Sequence, residues 1–211
     1  MTRGRFITLE GIEGAGKTTV ATLLRDALIR RDRTVHMTRE PGGTPACERL
    51  RTLLLERGHD AISAVSETLL MFAARGIHVD TLIRPALSRG DWVLCDRFTD
   101  ATRAYQGAGR GVARQLIESL AGAVHQDLQP DCTLLFDLPP ELGLQRARAR
   151  NPGAKADRFE CEALEFFVRV RACYLALAAA EPQRFIVLDA TLDAASVART
   201  AIAAVIERTS P

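Results

Sequence analysis

Residues Gly11-Ile12-Glu13-Gly14-Ala15-Gly16-Lys17-Thr18 fit the spacing G-x-x-x-x-G-K-[ST] without exception. With glycine near 7% of residues in an average protein, such a run arises by chance in roughly 1% of chains of this length. Its surroundings lower that further. The apolar, β-branched run Phe6 to Leu9 precedes it, and from Lys17 to about Arg31 the residues Val20, Leu23, Leu24, Ala27 and Leu28 fall at helical spacing. Strand, glycine turn and helix in that order make a phosphate cradle. The glycines let the backbone aim its N–H groups inward, and the helix N-terminus adds partial positive charge. The expected ATP site therefore runs from Gly11 through Thr18 to Thr19, with Lys17 reaching the β- and γ-phosphates and the Thr18 hydroxyl on Mg²⁺.

The rest of the chain alternates short β-rich runs with helical patterns. Further strands are predicted at Val35 to Thr38, Trp92 to Cys95, Cys132 to Phe136 and Phe185 to Leu188. Helices are predicted at about Cys47 to Leu55, Ser63 to Ser88, Val112 to Val124, Glu141 to Arg150, Ala163 to Ala180 and Ala194 to Ile206, with Pro85 bending or closing the second of these. Five strands separated by helices predict an α/β fold: a parallel sheet with helices on both faces. At 211 residues the chain suits a single domain, 1–211, and shows no repeat or linker.

Composition narrows the partners. Lys plus Arg number 28 against 26 for Asp plus Glu, too even a balance for a protein whose main partner is a long nucleic acid. No stretch of eighteen apolar residues offers a membrane span, and the start of the chain lacks a secretory apolar core. Five dispersed cysteines, Cys47, Cys95, Cys132, Cys161 and Cys173, contain no Cys-x-x-Cys pair. They read as small apolar side chains in a reducing compartment, so the expected location is cytoplasmic. A GTPase needs an Asn-Lys-x-Asp box, and the sole asparagine is Asn151, followed by Pro152. Motor and repair ATPases are usually larger. A small kinase with a second, arginine-lined pocket remains.

Candidate acceptor residues follow the predicted strands. Thr38-Arg39-Glu40-Pro41-Gly42-Gly43-Thr44 lies beyond the second, Asp96-Arg97-Phe98 beyond the third, and Ala104-Tyr105-Gln106-Gly107 soon after. Ligands of open parallel sheets bind at the carboxyl ends of strands, so these loops can share one crevice. Together with the phosphate loop, the arginine-rich Arg146-Ala147-Arg148-Ala149-Arg150 and the later Asp157-Arg158-Phe159-Glu160, they resemble thymidylate kinases of the bacterial type over essentially the whole chain.

The resemblance implies roles at matching positions. Arg39 and Arg97 hold the phosphate of dTMP, Phe72 stacks on the base with Met71 as the neighbouring candidate, and Arg75 bonds the base O4. Tyr105 closes on the sugar, with Thr102 and Gln106 near the base, while Glu13 lies near the 3′-hydroxyl or the metal and Asp96 near Mg²⁺. A lid is expected at about 146–160, supplying a catalytic arginine from Arg148 or Arg150, because the phosphate loop contains none. Where many relatives carry a serine, this chain has Ala101, so any hydroxyl contact there comes from Thr99 or Thr102, or is absent. The family's phosphate-loop kinase fold with its sheet in the order 2-3-1-4-5, its transfer of the ATP γ-phosphoryl to dTMP, and its homodimer are implied in the same way. Two alternatives stay open on the residues: a kinase for another nucleoside or monophosphate, and a nucleotide-binding regulator without catalysis.

Overall fold

The computed structural model describes residues 3–56, 62–150 and 162–209, the side chain of Arg150 apart. Strands β1 (Phe6–Glu10), β2 (Val35–Arg39), β3 (Trp92–Asp96), β4 (Cys132–Asp137) and β5 (Phe185–Asp189) form one parallel sheet in the order β2-β3-β1-β4-β5, as expected. Helices α1 (Lys17–Ile29), α2 (Pro45–Leu55), α3 (Ala64–His78), α4 (Arg84–Ser88), α5 (Thr99–Thr102), α6 (Arg114–Val124), α7 (Pro140–Arg150), α8 (Leu164–Ala180) and α9 (Ala194–Thr209) complete the described chain.

A parallel sheet covered on both faces must be apolar on both, and the central strand shows it. Along β1 every residue is buried. Ile7 and Leu9 join Leu24, Leu94, Leu134 and Phe167 in the larger core. Phe6 points the other way and joins Val79, Ile83, Val93, Cys95 and Phe98. Thr8 and Glu10 are the polar exceptions; the Thr8 hydroxyl is satisfied by Thr133 on β4 at 2.8 Å. Cys47, Cys95 and Cys132 are buried free thiols and Cys173 is half-buried; Cys161 lies outside the described residues.

The helix predicted from Ser63 to Ser88 is three segments. Ser63 caps α3 by accepting from the Ser66 amide, a π-helical stretch Val79–Ile83 follows, and α4 begins immediately before Pro85. Proline lacks an N–H and its ring collides with the carbonyl four residues back, so the wider π turn before it lets the path continue. A second π stretch, Arg103–Gly109, follows the short α5. The second borders the crevice described next, through Tyr105 and Gln106.

Candidate active site

Every strand ends one residue beyond its predicted apolar run. The added residues are Glu10, Arg39, Asp96, Asp137 and Asp189, all at the carboxyl edge of the sheet. Above that edge lies a crevice of about 980 Å³, walled by the phosphate loop on one side and by Arg39, Arg75, Arg97, Thr102, Tyr105 and Gln106 on the other. The sequence motifs thus meet in one place.

The phosphate loop has the backbone its glycines were expected to supply. Gly11, Gly14 and Gly16 adopt φ of 136°, 74° and 83°. Lys17 is 8% exposed and donates from Nζ to the carbonyls of Gly11 and Ile12, both at 3.0 Å. Burial, together with the cationic Arg97, lowers its pKa, while Asp96, Glu13 and Glu10 oppose that shift. Glu13, Gly14, Ala15, Gly16, Lys17, Thr18 and Thr19 line the crevice, whereas Ile12 is buried beneath it. One contributor escaped the sequence reading: Gly143, on the first turns of α7. A Cβ on Gly14 would stand 2.2 Å from the Gly143 carbonyl oxygen, and a Cβ on Gly143 would stand 2.7 Å from that of Glu13. A lone glycine in a helical pattern signals such a contact only weakly.

Arg97 sits at φ 74°, a left-handed conformation rare for a branched or long side chain. Its amide donates to Leu9 O at 3.0 Å, and the next amide, Phe98 N, donates to Glu10 Oε1 at 2.8 Å. These bonds hold the strained turn. The other Glu10 oxygen accepts from the Tyr174 hydroxyl at 2.8 Å. Burial, reinforced by Asp100, pushes the Glu10 carboxyl up to about 8 against the Tyr174 bond and Arg97. So placed, the Arg97 guanidinium lies 4.5 Å above the Tyr105 ring and donates to Glu13 Oε1 at 2.7 Å, while Tyr105 donates to Glu13 Oε2 at 2.8 Å. Glu13 thereby ties the phosphate loop to the acceptor wall.

Arg75 is 2% exposed, yet it lines the crevice. Nε pairs with Glu40 at 2.7 Å, and Nη2 donates to Phe98 O and Thr102 Oγ1, both at 3.1 Å. The remaining nitrogen, Nη1, is buried with no partner among the described residues. Buried donors are rarely left so, and of the Arg75 nitrogens only Nη1 has its hydrogen-bonding capacity unused among the described residues. Phe72 lies behind this guanidinium, 4.7 Å from it and 1% exposed, and Met71 is the residue on the crevice wall. Glu40 also meets His78 Nδ1 at 2.9 Å, and the Arg75 charge holds its carboxyl below the usual range against its burial. Glu40, His78 and Cys95 come within metal-binding reach of one another. Each is engaged by the protein: Glu40 by Arg75, His78 by Thr38, and Cys95 by the Arg97 carbonyl.

Thr99 is turned inward, its hydroxyl 2.9 Å from His125 Nε2, so of the two hydroxyls near Ala101 it is Thr102 that lines the crevice. Arg39 and Arg51 both line the crevice; Arg39 donates to Glu48 at 2.9 Å and Arg51 to Pro41 O at 2.8 Å. Arg51 carries no motif and was not foreseen. Asp96 lines the crevice with Thr18, and its Oδ1 is buried without a partner among the described residues. Of the lid, Arg146 lines the crevice and donates to Ala190 O at 2.7 Å, whereas Arg148 is exposed and off the wall. Residues 151–160 and the Arg150 side chain lie outside the described residues.

A family model described as thymidylate kinase matches residues 9–201. The thymidylate kinase of Pseudomonas syringae pv. syringae is 55% identical over 194 residues, 92% of this chain and 91% of that protein. That of Ralstonia nicotianae is 55% identical over 192 residues, 89% of this chain and 90% of that protein. The crystal structure of thymidylate kinase from Ehrlichia chaffeensis superposes with a TM-score of 0.77 at 33% identity, covering 96% of this chain and 99% of that one. The match starts in the strand that feeds the phosphate loop and ends in the last helix, so the whole crevice falls within it: this chain belongs to the thymidylate kinase family.

Proposed function

We propose that the crevice transfers the γ-phosphoryl of ATP in line to the phosphate of dTMP, giving dTDP. The observation that carries this reading is the meeting of Lys17, on the phosphate loop, with the buried, singly unpartnered Arg75 in one crevice. The attacking oxygen is already ionised near neutral pH, so no general base is needed. The obstacle is charge: at roughly 4 Å and an effective dielectric of 20, each pair of unit charges repels by about 4 kcal/mol. Lys17 and Arg97 offset that repulsion from opposite walls, and Arg39 with Arg97 holds the dTMP phosphate.

Thr18 Oγ1 and the unpartnered Asp96 oxygen are hard oxygen donors and fit Mg²⁺. When bound, the metal withdraws negative charge from the phosphates as a Lewis acid. Arg148 or Arg150 completes the set from a lid at 146–160, which closes over the reacting groups and excludes water as a competing acceptor. Glu13 stays near the sugar 3′-hydroxyl and Tyr105 against the sugar ring. Arg75, Thr102 and Gln106 read the base, whose plane rests on Met71, with Phe72 stiffening Arg75 from behind.

We take residues 1–211 as one such kinase domain. Among the described residues, no helix is long and apolar enough to cross a membrane. A cytoplasmic location suits the reduced thiols. Exposed Val65, Leu69 and Ile77 on α3 suit a homodimer formed away from the crevice, and sedimentation at micromolar concentration should find it.

The test is acceptor choice in an ADP-release assay. Expected turnover is best with dTMP, lower with dUMP, and hardly measurable with cytidine or purine monophosphates. Losing the methyl group costs only about 1 to 3 kcal/mol, whereas a mismatched edge leaves buried polar groups unpaired. Equal turnover of dTMP and dCMP would defeat the reading.

A further inference from the structure

Gln106 lines the crevice, and its Nε2 donates to Glu67 Oε1 at 2.7 Å. Glu67 is fully buried on α3 and forms no part of the crevice wall. A carboxylate accepts and cannot donate, so the Gln106 amide must turn its NH₂ toward Glu67. Its carbonyl oxygen, on the other side of the planar amide, is then the end left for whatever occupies the crevice. Arg110 supplies the countercharge: its Nε lies 3.3 Å from the same Glu67 oxygen, and its Nη2 lies 2.7 Å from Glu162. Glu67, Met71 and Arg75 recur at every fourth position of α3, so one stripe of the helix sets the acceptor, the apolar surface between, and the donor.

Resting on the dTMP reading above, we propose that Glu67 is a positioning residue for base choice: it locks Gln106 so that the crevice offers a carbonyl acceptor alongside the Arg75 donor. A thymine edge carries the O4 acceptor next to the N3–H donor and meets both. Cytosine carries an amino donor next to an unprotonated N3 acceptor and meets neither. Two mismatches stand against cytosine, and one of them is enforced by a side chain that never touches the base. Without the charge on residue 67, Gln106 turns over, presents NH₂ to the cytosine N3 and removes that mismatch.

The experiment compares kcat/KM for dTMP and dCMP in the parent, Glu67→Gln and Glu67→Asp. The dTMP-to-dCMP ratio should fall at least about tenfold in Glu67→Gln, with KM for ATP unchanged, and stay near the parent's in Glu67→Asp, which keeps the carboxylate. A purely structural contribution lowers both substrates together and leaves the ratio fixed; that outcome overturns the proposal. In a Gln106→Ala background the change at position 67 should shift the ratio no further, and an undiminished shift there also overturns it. A parent that does not prefer dTMP refutes the functional reading itself, whereas a parent that does, beside an unmoved Glu67→Gln ratio, refutes only the role of Glu67. Should Glu67→Gln fail to fold, heteronuclear NMR of the parent decides. The Gln106 side-chain amide, assigned by its loss in Gln106→Ala, should exchange at least about tenfold slower than a free amide, with and without dTMP. Exchange at the free rate in either condition overturns the assignment.

Discussion

Lys17 donates to two carbonyls of its own loop, at 3.0 Å each, so its charge is held in place before any phosphate arrives. Fixed charge aimed at oxygens whose charge shifts during transfer acts on the transition state more than on the ground state. Lys17→Ala should therefore lose nearly all turnover while dTMP affinity, measured by calorimetry, stays close to the parent's. A variant retaining more than about a tenth of parental turnover has lost under 1.4 kcal/mol of barrier stabilisation, and the role assigned to Lys17 would be wrong. Arg97 depends on its neighbours in a different way. Its left-handed backbone at φ 74° is held by Leu9 and Glu10, two residues of the strand that feeds the phosphate loop.

At the scale of elements, the contact between the phosphate loop and α7 makes a sharp prediction. In an isolated helix, Gly→Ala stabilises by about 1 kcal/mol. At Gly143 the new Cβ would lie 2.7 Å from both the Glu13 carbonyl oxygen and Ile12 Cδ1, so backbone must move. Overpacking of that kind costs about 1 to 3 kcal/mol and outweighs the propensity gain. Gly143→Ala should unfold at lower urea and show a raised KM for ATP; a variant more stable than the parent with unchanged KM would count against the contact. The sequence made most elements visible, because strand and helix periods are written in apolar residues. Each strand extends one residue past its apolar run because the ladder continues onto a charged residue, Glu10, Arg39, Asp96, Asp137 or Asp189, which the apolar pattern does not mark. The π stretches at Val79–Ile83 and Arg103–Gly109 have no residue period of their own to read. Met71 and Phe72 both lie within one turn of Arg75, and only the rotation of α3 against the sheet decides which meets the crevice. Gly143, Arg51 and Glu67 belong to no motif, since their roles arise from contacts across the fold.

For the molecule as a whole, two buried groups set opposing responses to pH. His125 donates from Nδ1 to Leu128 O at 3.0 Å, so Nε2 accepts from the Thr99 hydroxyl, and burial followed by Arg75 lowers its pKa from 6.5 to about 4. Between those values the unfolded chain holds a proton that the folded one lacks. The His125 contribution is thus complete above pH 6.5 and is lost on acidification by about 1.4 kcal/mol per pH unit until about pH 4. Glu10, raised from 4.5 to about 8, acts in the other sense: its contribution is complete below pH 4.5 and is lost as pH rises through 8. Because the slopes oppose each other between 4.5 and 6.5, the prediction concerns a difference. The stability gap between parent and His125→Asn, from urea unfolding, should be widest near pH 7 and narrower at pH 5. A gap independent of pH would show that His125 is not held neutral.

The thiols flanking the central strand turn the same core into a timekeeper. Cys95 on β3 and Cys132 on β4 sit on either side of β1, and burial raises both thiols, Cys132 to about 11. A disulfide reagent needs thiolate and access, so these two sulfurs react only when the middle of the sheet parts. Cys173, half-buried on α8, reports a shallower event. Mass spectrometry of single additions at these sites over time would rank the lifetimes of the sheet centre and the outer helix in one sample, with nothing engineered into the chain. Nucleotides that bridge the carboxyl edges of β1 and β3 should slow the Cys95 clock more than the Cys173 one.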